Sequence, residues 1–160
     1  FHIVTSGCCF VQLAGKDSPP VRLQTGDFVL LTRGHTHSLR DTPDTPAYPL
    51  EMLRPHATAS SDGALHFGGN GATTSILCGK MSLRNADTNP LLQSLPPMLI
   101  VRGEDGKAVP WLEATINFLL CESGNNRPGA ETVIARLCDI LFVQAIRTYL
   151  DAIPDCTRGY

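Results

Sequence analysis

The sequence has no hydrophobic run of membrane-spanning length. Its longest apolar stretches are interrupted by Arg, Asp or Gln well before the roughly 18 to 20 residues a spanning helix needs. An integral membrane protein is therefore not expected. It also lacks an excess of positive charge: 13 Lys and Arg stand against 15 Asp and Glu, for a net charge of -2. Little is left to neutralise phosphates, so no nucleic-acid surface is read in this chain. No CxxC or HxxxH pair occurs, which removes the local spacings that announce a metal site. An initiator Met and a charged-then-apolar signal segment are likewise missing at Phe1, and from this we expect a domain cut from a longer protein.

What is present describes one soluble domain with enough apolar content for a core: 160 residues, 42% hydrophobic and 18% charged. The six cysteines (Cys8, Cys9, Cys78, Cys121, Cys138 and Cys156) do not read as a disulfide framework. Cys8 and Cys9 point to opposite faces of a strand, and Cys121 and Cys138 fall in apolar helical patterns where a small buried thiol fits. A core of this size needs no covalent staples, so a reduced, cytoplasmic protein is expected.

The first half reads as β. Residues 1–13 are rich in β-branched and aromatic side chains, with Gly7 marking a bulge or bend. Val21–Leu23 leads into a Gln24-Thr25-Gly26-Asp27 corner, after which Phe28–Leu31 forms a short apolar strand. From Ser38 to about Ser61, Pro43, Pro46, Pro49 and Pro55 exclude a central strand, with one helical turn expected at Pro49–Leu53. Such a loop would be placed to close over a barrel mouth. Leu65–Phe67, a Gly68–Gly71 turn and Thr73–Leu83 read together as a hairpin, and Met98–Val101 as a last strand.

The final third is helical. Pro110 suits a helix start, Leu112, Ile116, Leu119 and Leu120 recur at helical spacing, and Gly124 is a stop. A second helix runs from about Ala130 to Ala152, with Ile134, Leu137, Cys138, Leu141, Ala145 and Tyr149 on one face. Ile140, Val143 and Leu150 lie nearly opposite, interleaved with Arg136 and Arg147. Two explanations stand for this second apolar side: contact with the first helix, or a homodimer interface made by Arg136, Ile140, Val143, Arg147 and Leu150.

The run from Gly26 to His37 resembles the second conserved cupin motif: Gly, five residues, Pro, one residue, Gly, two residues, His. Every fixed position matches except the proline, which is Thr32 here. Together with the strand at Phe1–Cys9, the Leu77-Cys78-Gly79 segment and Pro90-Leu91-Leu92 before Leu95-Pro96-Pro97, the chain resembles the N-terminal cupin domain of AraC-type transcriptional regulators over nearly its whole length. The resemblance implies a mostly β fold with C-terminal α, a double-stranded β-helix or jelly-roll barrel over residues 1–105. A two-helix antiparallel hairpin over 106–153 and a tail, 154–160, would lead toward helix-turn-helix units absent from this chain. It further implies a small-molecule effector, a homodimer, and DNA contact only through that missing part. A metal-dependent cupin enzyme, a dioxygenase or isomerase, is the alternative, but its first motif, supplying two His and a Glu, would precede Phe1. A barrel filled by its own side chains and serving only to dimerise is a third possibility.

Cys9, His35, His37 and Cys78 are the soft ligands that this arrangement brings near one another, and four such donors suit structural Zn2+. Against this, Cys9 and Cys78 also read as small core residues and His37 as a hydrogen-bonded histidine. His2 has the wrong strand parity to join them unless Gly7 hosts a bulge, and is expected on the surface. His56 and His66 are expected in solvent, Trp111 as the anchor of the first helix. Asp41, Asp44 and Glu51 lack the pairing that acid-base chemistry requires.

Overall fold

The β-branched N-terminal stretch forms two strands that part at Gly7. In the computed structural model, which describes residues 1–15, 17–53, 58–59, 64–83, 88–124 and 127–153, β1 (His2–Ser6) and β2 (Cys8–Leu13) enter different sheets. The other strands are β3 (Val21–Gln24), β4 (Phe28–Leu31), β5 (His37–Arg40), β6 (Thr58–Ala59), β7 (Leu65–His66), β8 (Ser75–Cys78) and β9 (Met98–Val101). A four-stranded sheet has the order β8-β1-β4-β9, a three-stranded sheet β3-β2-β5, and β6 pairs with β7. All these pairings are antiparallel.

Alternation along the strands divides the core in two. Along β4, Phe28 and Leu30 enter a larger cluster while Val29 enters a smaller one with Val4, Cys9, Val11 and Leu23. That is the period-2 consequence of a strand buried on both faces. The larger cluster continues into the helices through Leu112, Ile116, Leu119, Leu141, Ala145 and Ile146. Residues before and after position 105 thus share one core.

The helices are α1 (Leu50–Leu53), α2 (Pro90–Ser94), α3 (Pro110–Gly124) and α4 (Ala130–Ala152). The bounds of α3 and α4 match the apolar periodicity and the Pro and Gly signals, and α1 is the expected turn. Trp111 packs against the larger cluster, as its place at the head of α3 implies. α2 was not expected; Pro90 at its start and the Asn89 side chain, accepting from Leu91 N–H at 3.0 Å, make the cap. Among the described residues no helix is long and apolar enough to cross a membrane.

Several expectations are corrected. The Gly68–Gly71 turn does not join a hairpin: β7 pairs with β6, and β8 pairs with β1 about 70 residues away. Ser38 to Arg40 is strand rather than loop, paired with β2. The β half, among the described residues, forms sheets of four, three and two strands. Gly7 passes the chain from one sheet to the other. Cys121 is exposed, not buried; no disulfide joins Cys8, Cys9, Cys78, Cys121 and Cys138. His56, Cys156 and the 154–160 tail lie outside the described residues.

Candidate functional site

The corner that begins the motif is a polar knot inside the core. Asp27 is fully buried, and its carboxylate accepts from the backbone N–H groups of Gln24 (3.0 Å) and Gly103 (2.9 Å) and from Arg102 Nη1 (2.8 Å). Three donors, one of them cationic, offset the cost of removing that charge from water. Gly26 sits at φ +92 against the backbone of Lys107 and Ala108, where a Cβ would overlap both. The knot fixes the start of β4 beside the end of β9.

At the other end of β4, Thr32 occupies the motif's proline position. Its N–H donates to Pro97 O (3.3 Å) and its hydroxyl to Pro96 O (2.8 Å). Proline would supply neither donor. The turn then passes through Gly34, at φ +64, and returns the chain as β5, whose first residue is His37.

His37 meets His2, a residue on the other sheet, with Nε2 atoms 2.7 Å apart and ring centroids 4.9 Å apart. His2 in turn lies opposite Cys78 in the β1–β8 ladder, its Nδ1 3.0 Å from the Cys78 sulfur. The roles follow from the one partner that can only accept. His37 Nδ1 is 2.9 Å from the His35 carbonyl and must donate to it. A neutral His37 therefore accepts at Nε2, His2 donates from Nε2, and His2 Nδ1 accepts from the Cys78 thiol. Burial pushes the His2 imidazole down to about 4 and pushes the Cys78 thiol up, which agrees with a neutral His2 ring and an S–H donor. Each nitrogen of both rings has one partner.

This arrangement does not fit a resident metal ion. Both His2 nitrogens are engaged on opposite sides of the ring, and among the described residues no group of three or more His, Cys, Asp or Glu side chains is placed to hold one. The expected quartet is not assembled. Cys9 is buried in the smaller cluster opposite Leu23, its thiol pushed up to about 11 by burial. His35 lies in the loop before β5, so the shared parity with His37 has no extended strand to act through; its Nδ1 is buried without a partner. Cys78 and His37 are joined only through His2, which parity alone placed on the surface. The signal that would have found it is the break at Gly7, which separates its strand from that of Cys9.

The His2–His37 pair borders a cavity of about 450 Å³. Its apolar wall is Phe1, Leu30, Leu31, Met81, Leu83 and Phe142, and its polar side is His2, His37, Thr32, Arg33 and Lys80. Phe1 is held by two backbone bonds exchanged with Gly79 and stacks on Phe28 at 5.9 Å. Phe142 comes from α4, so one wall of the cavity is helical.

The opposite side of α4 is uncovered. Although α4 packs on both β9 and α3, Ile140, Val143 and Leu150 are 48%, 45% and 38% exposed. Asp139, Ile140, Val143, Gln144 and Arg147 line a shallow depression of about 280 Å³, and Arg136 pairs with Asp139 at 3.1 Å. Packing on α3 therefore does not account for the second apolar stripe.

Comparison with known proteins agrees with the motif. Residues 1–151 match the cupin family. Two curated proteins named "Putative AraC-like transcription regulator", from Streptomyces lividans and Streptomyces antibioticus, are each 29% identical over 163 aligned positions. All of this chain is covered, and it spans about half (51%) of the length of each. No solved structure matches the chain significantly. Matched from residue 1 to residue 151, the chain belongs to the cupin family, as a cupin domain similar to those of AraC-type regulators.

Proposed function

We propose that the chain is the regulatory module of an AraC-type transcription regulator, a jelly-roll cupin that takes a small-molecule effector and self-associates through α4, with DNA contacted by parts outside it. One observation carries this reading. Phe142 lines the cavity while its neighbour Val143 lies on the uncovered stripe, so an occupant of the cavity touches the helix that would form the dimer. Effector binding then has a direct way to bias the association of two copies, which is the differential contact that coupling between sites requires.

Arg136, Ile140, Val143, Arg147 and Leu150 would form the isologous contact, with apolar side chains central and the arginines at the rim. The names of the curated relatives favour regulation over catalysis. The alternative of a metal-dependent enzyme draws no support from His2, His37 and Cys78, whose donor atoms are satisfied by one another. Sedimentation of the chain and of Val143→Glu across a concentration series tests the reading. A dimer that the substitution weakens is expected; a wild-type chain that stays monomeric at high micromolar concentration would sink it.

A further inference from the structure

The cavity beside His2 carries a charge pattern that narrows what it would hold. Among the described residues, its lining includes Arg33 and Lys80 and no carboxylate. Among the described residues, the ion pairs are Arg102 with Asp27 and Arg136 with Asp139, so neither lining cation is neutralised by one. The lining also includes the apolar side chains of Leu30, Leu31, Met81 and Leu83 and the rings of Phe1 and Phe142. A ligand that satisfies both sides has an apolar body and an anionic end.

The remaining donors restrict the anion further. Three backbone N–H groups of the lining are already committed: Thr32 to Pro97 O, Gly34 to Leu31 O and Gly79 to Phe1 O. The Thr32 hydroxyl donates to Pro96 O. His2 and His37 satisfy each other and their neighbours. The side-chain cations of Arg33 and Lys80 remain as donors, and Arg33 has given one long bond, 3.4 Å, to Gln93. Two side-chain cations suit the two oxygens of a carboxylate, and with the Thr32, Gly34 and Gly79 N–H groups given to carbonyls, those three are not offered as the nest on which a phosphate typically rests.

We infer that the cavity is a site for a small apolar monocarboxylate, its acid group held by Arg33 and Lys80 and its body lying against Phe1, Met81 and Phe142. This rests on reading the cavity as the effector site. The volume, about 450 Å³, lies within the range of roughly 300–1,000 Å³ typical of small-molecule sites.

The test titrates the chain, carrying 13C-methyl methionine, with benzoate, 1-naphthoate and decanoate, each beside its neutral alcohol, and with 1-naphthyl phosphate. Affinities come from calorimetry and location from the Met81 methyl resonance. At least one acid is expected to move the Met81 signal and to bind about tenfold more tightly than its alcohol. That advantage should fall to within about twofold in Arg33→Gln/Lys80→Gln, while the alcohol's affinity is unchanged. Equal binding of acid and alcohol at Met81 overturns the carboxylate assignment and leaves the effector-site reading standing, as does tighter binding of the phosphate. A Met81 signal unmoved by every probe overturns both.

Discussion

Asp27 and Arg102 form an asymmetric pair: the carboxylate is wholly buried, the guanidinium side chain is 52% exposed, and Nη1 lies 2.8 Å from Oδ2. The value of Arg102 therefore depends on Asp27 being there. Removing the cation leaves a buried carboxylate with two backbone donors but no countercharge. Arg102→Ala is expected to destabilise the chain by about 2 kcal/mol in the wild-type background and by less than about 0.5 kcal/mol in Asp27→Ala, where only the bond to Arg22 O remains. Urea unfolding of the four proteins in the cycle measures this, and additive costs would show that the two residues act independently.

Gly26 and Gly34 make a matched comparison. Both have positive φ, but a Cβ at Gly26 would strike the Lys107 and Ala108 backbone whereas one at Gly34 would meet nothing within 4 Å. Gly34→Ala should cost about 1 kcal/mol from backbone conformation alone, and Gly26→Ala about 3 kcal/mol or more because two backbone segments must separate. Similar losses in thermal unfolding would mean that the close approach at Gly26 relaxes readily.

These corners also show what the sequence made legible. β4, β9, α3 and α4 are apolar runs or stripes bounded by Gly and Pro, and their bounds follow from local pattern alone. Pairing between distant segments does not. Nothing near Ser75 or Cys78 says that their partner is β1, and the strand at His37–Arg40 has only one aliphatic side chain to announce it. The candidate site suffered most, because it joins His2, His37 and Cys78 from three strands and two sheets. One residue, Gly7, cancels the parity by which Cys9 and His2 were compared.

Thr32 offers a test of motif against context. Restoring the family's proline would remove the N–H bond to Pro97 and the hydroxyl bond to Pro96. Thr32→Pro is therefore expected to lower stability by about 1–3 kcal/mol even though it completes the motif. Thr32→Val, which keeps the N–H, should lose less. A stabilised Thr32→Pro protein would mean that the turn's fixed φ outweighs both bonds.

Protonation of His2 should weaken the fold on the acidic side. Its folded-state value, about 4, is depressed by burial from the ordinary 6.5, so the unfolded chain binds the proton more tightly between those values. Stability from this residue is fully present above pH 6.5 and is lost as pH falls toward 4, by roughly 1–3 kcal/mol in all. The structural reason is the chain of donors: a proton added at Nδ1 of His2 faces the Cys78 S–H with a second donor. His2→Gln should flatten the pH dependence across this window while leaving the carboxylate titrations common to both proteins. Denaturant unfolding at pH 7, 6 and 5 decides it, since parallel curves for wild type and variant would assign the acid lability to other groups.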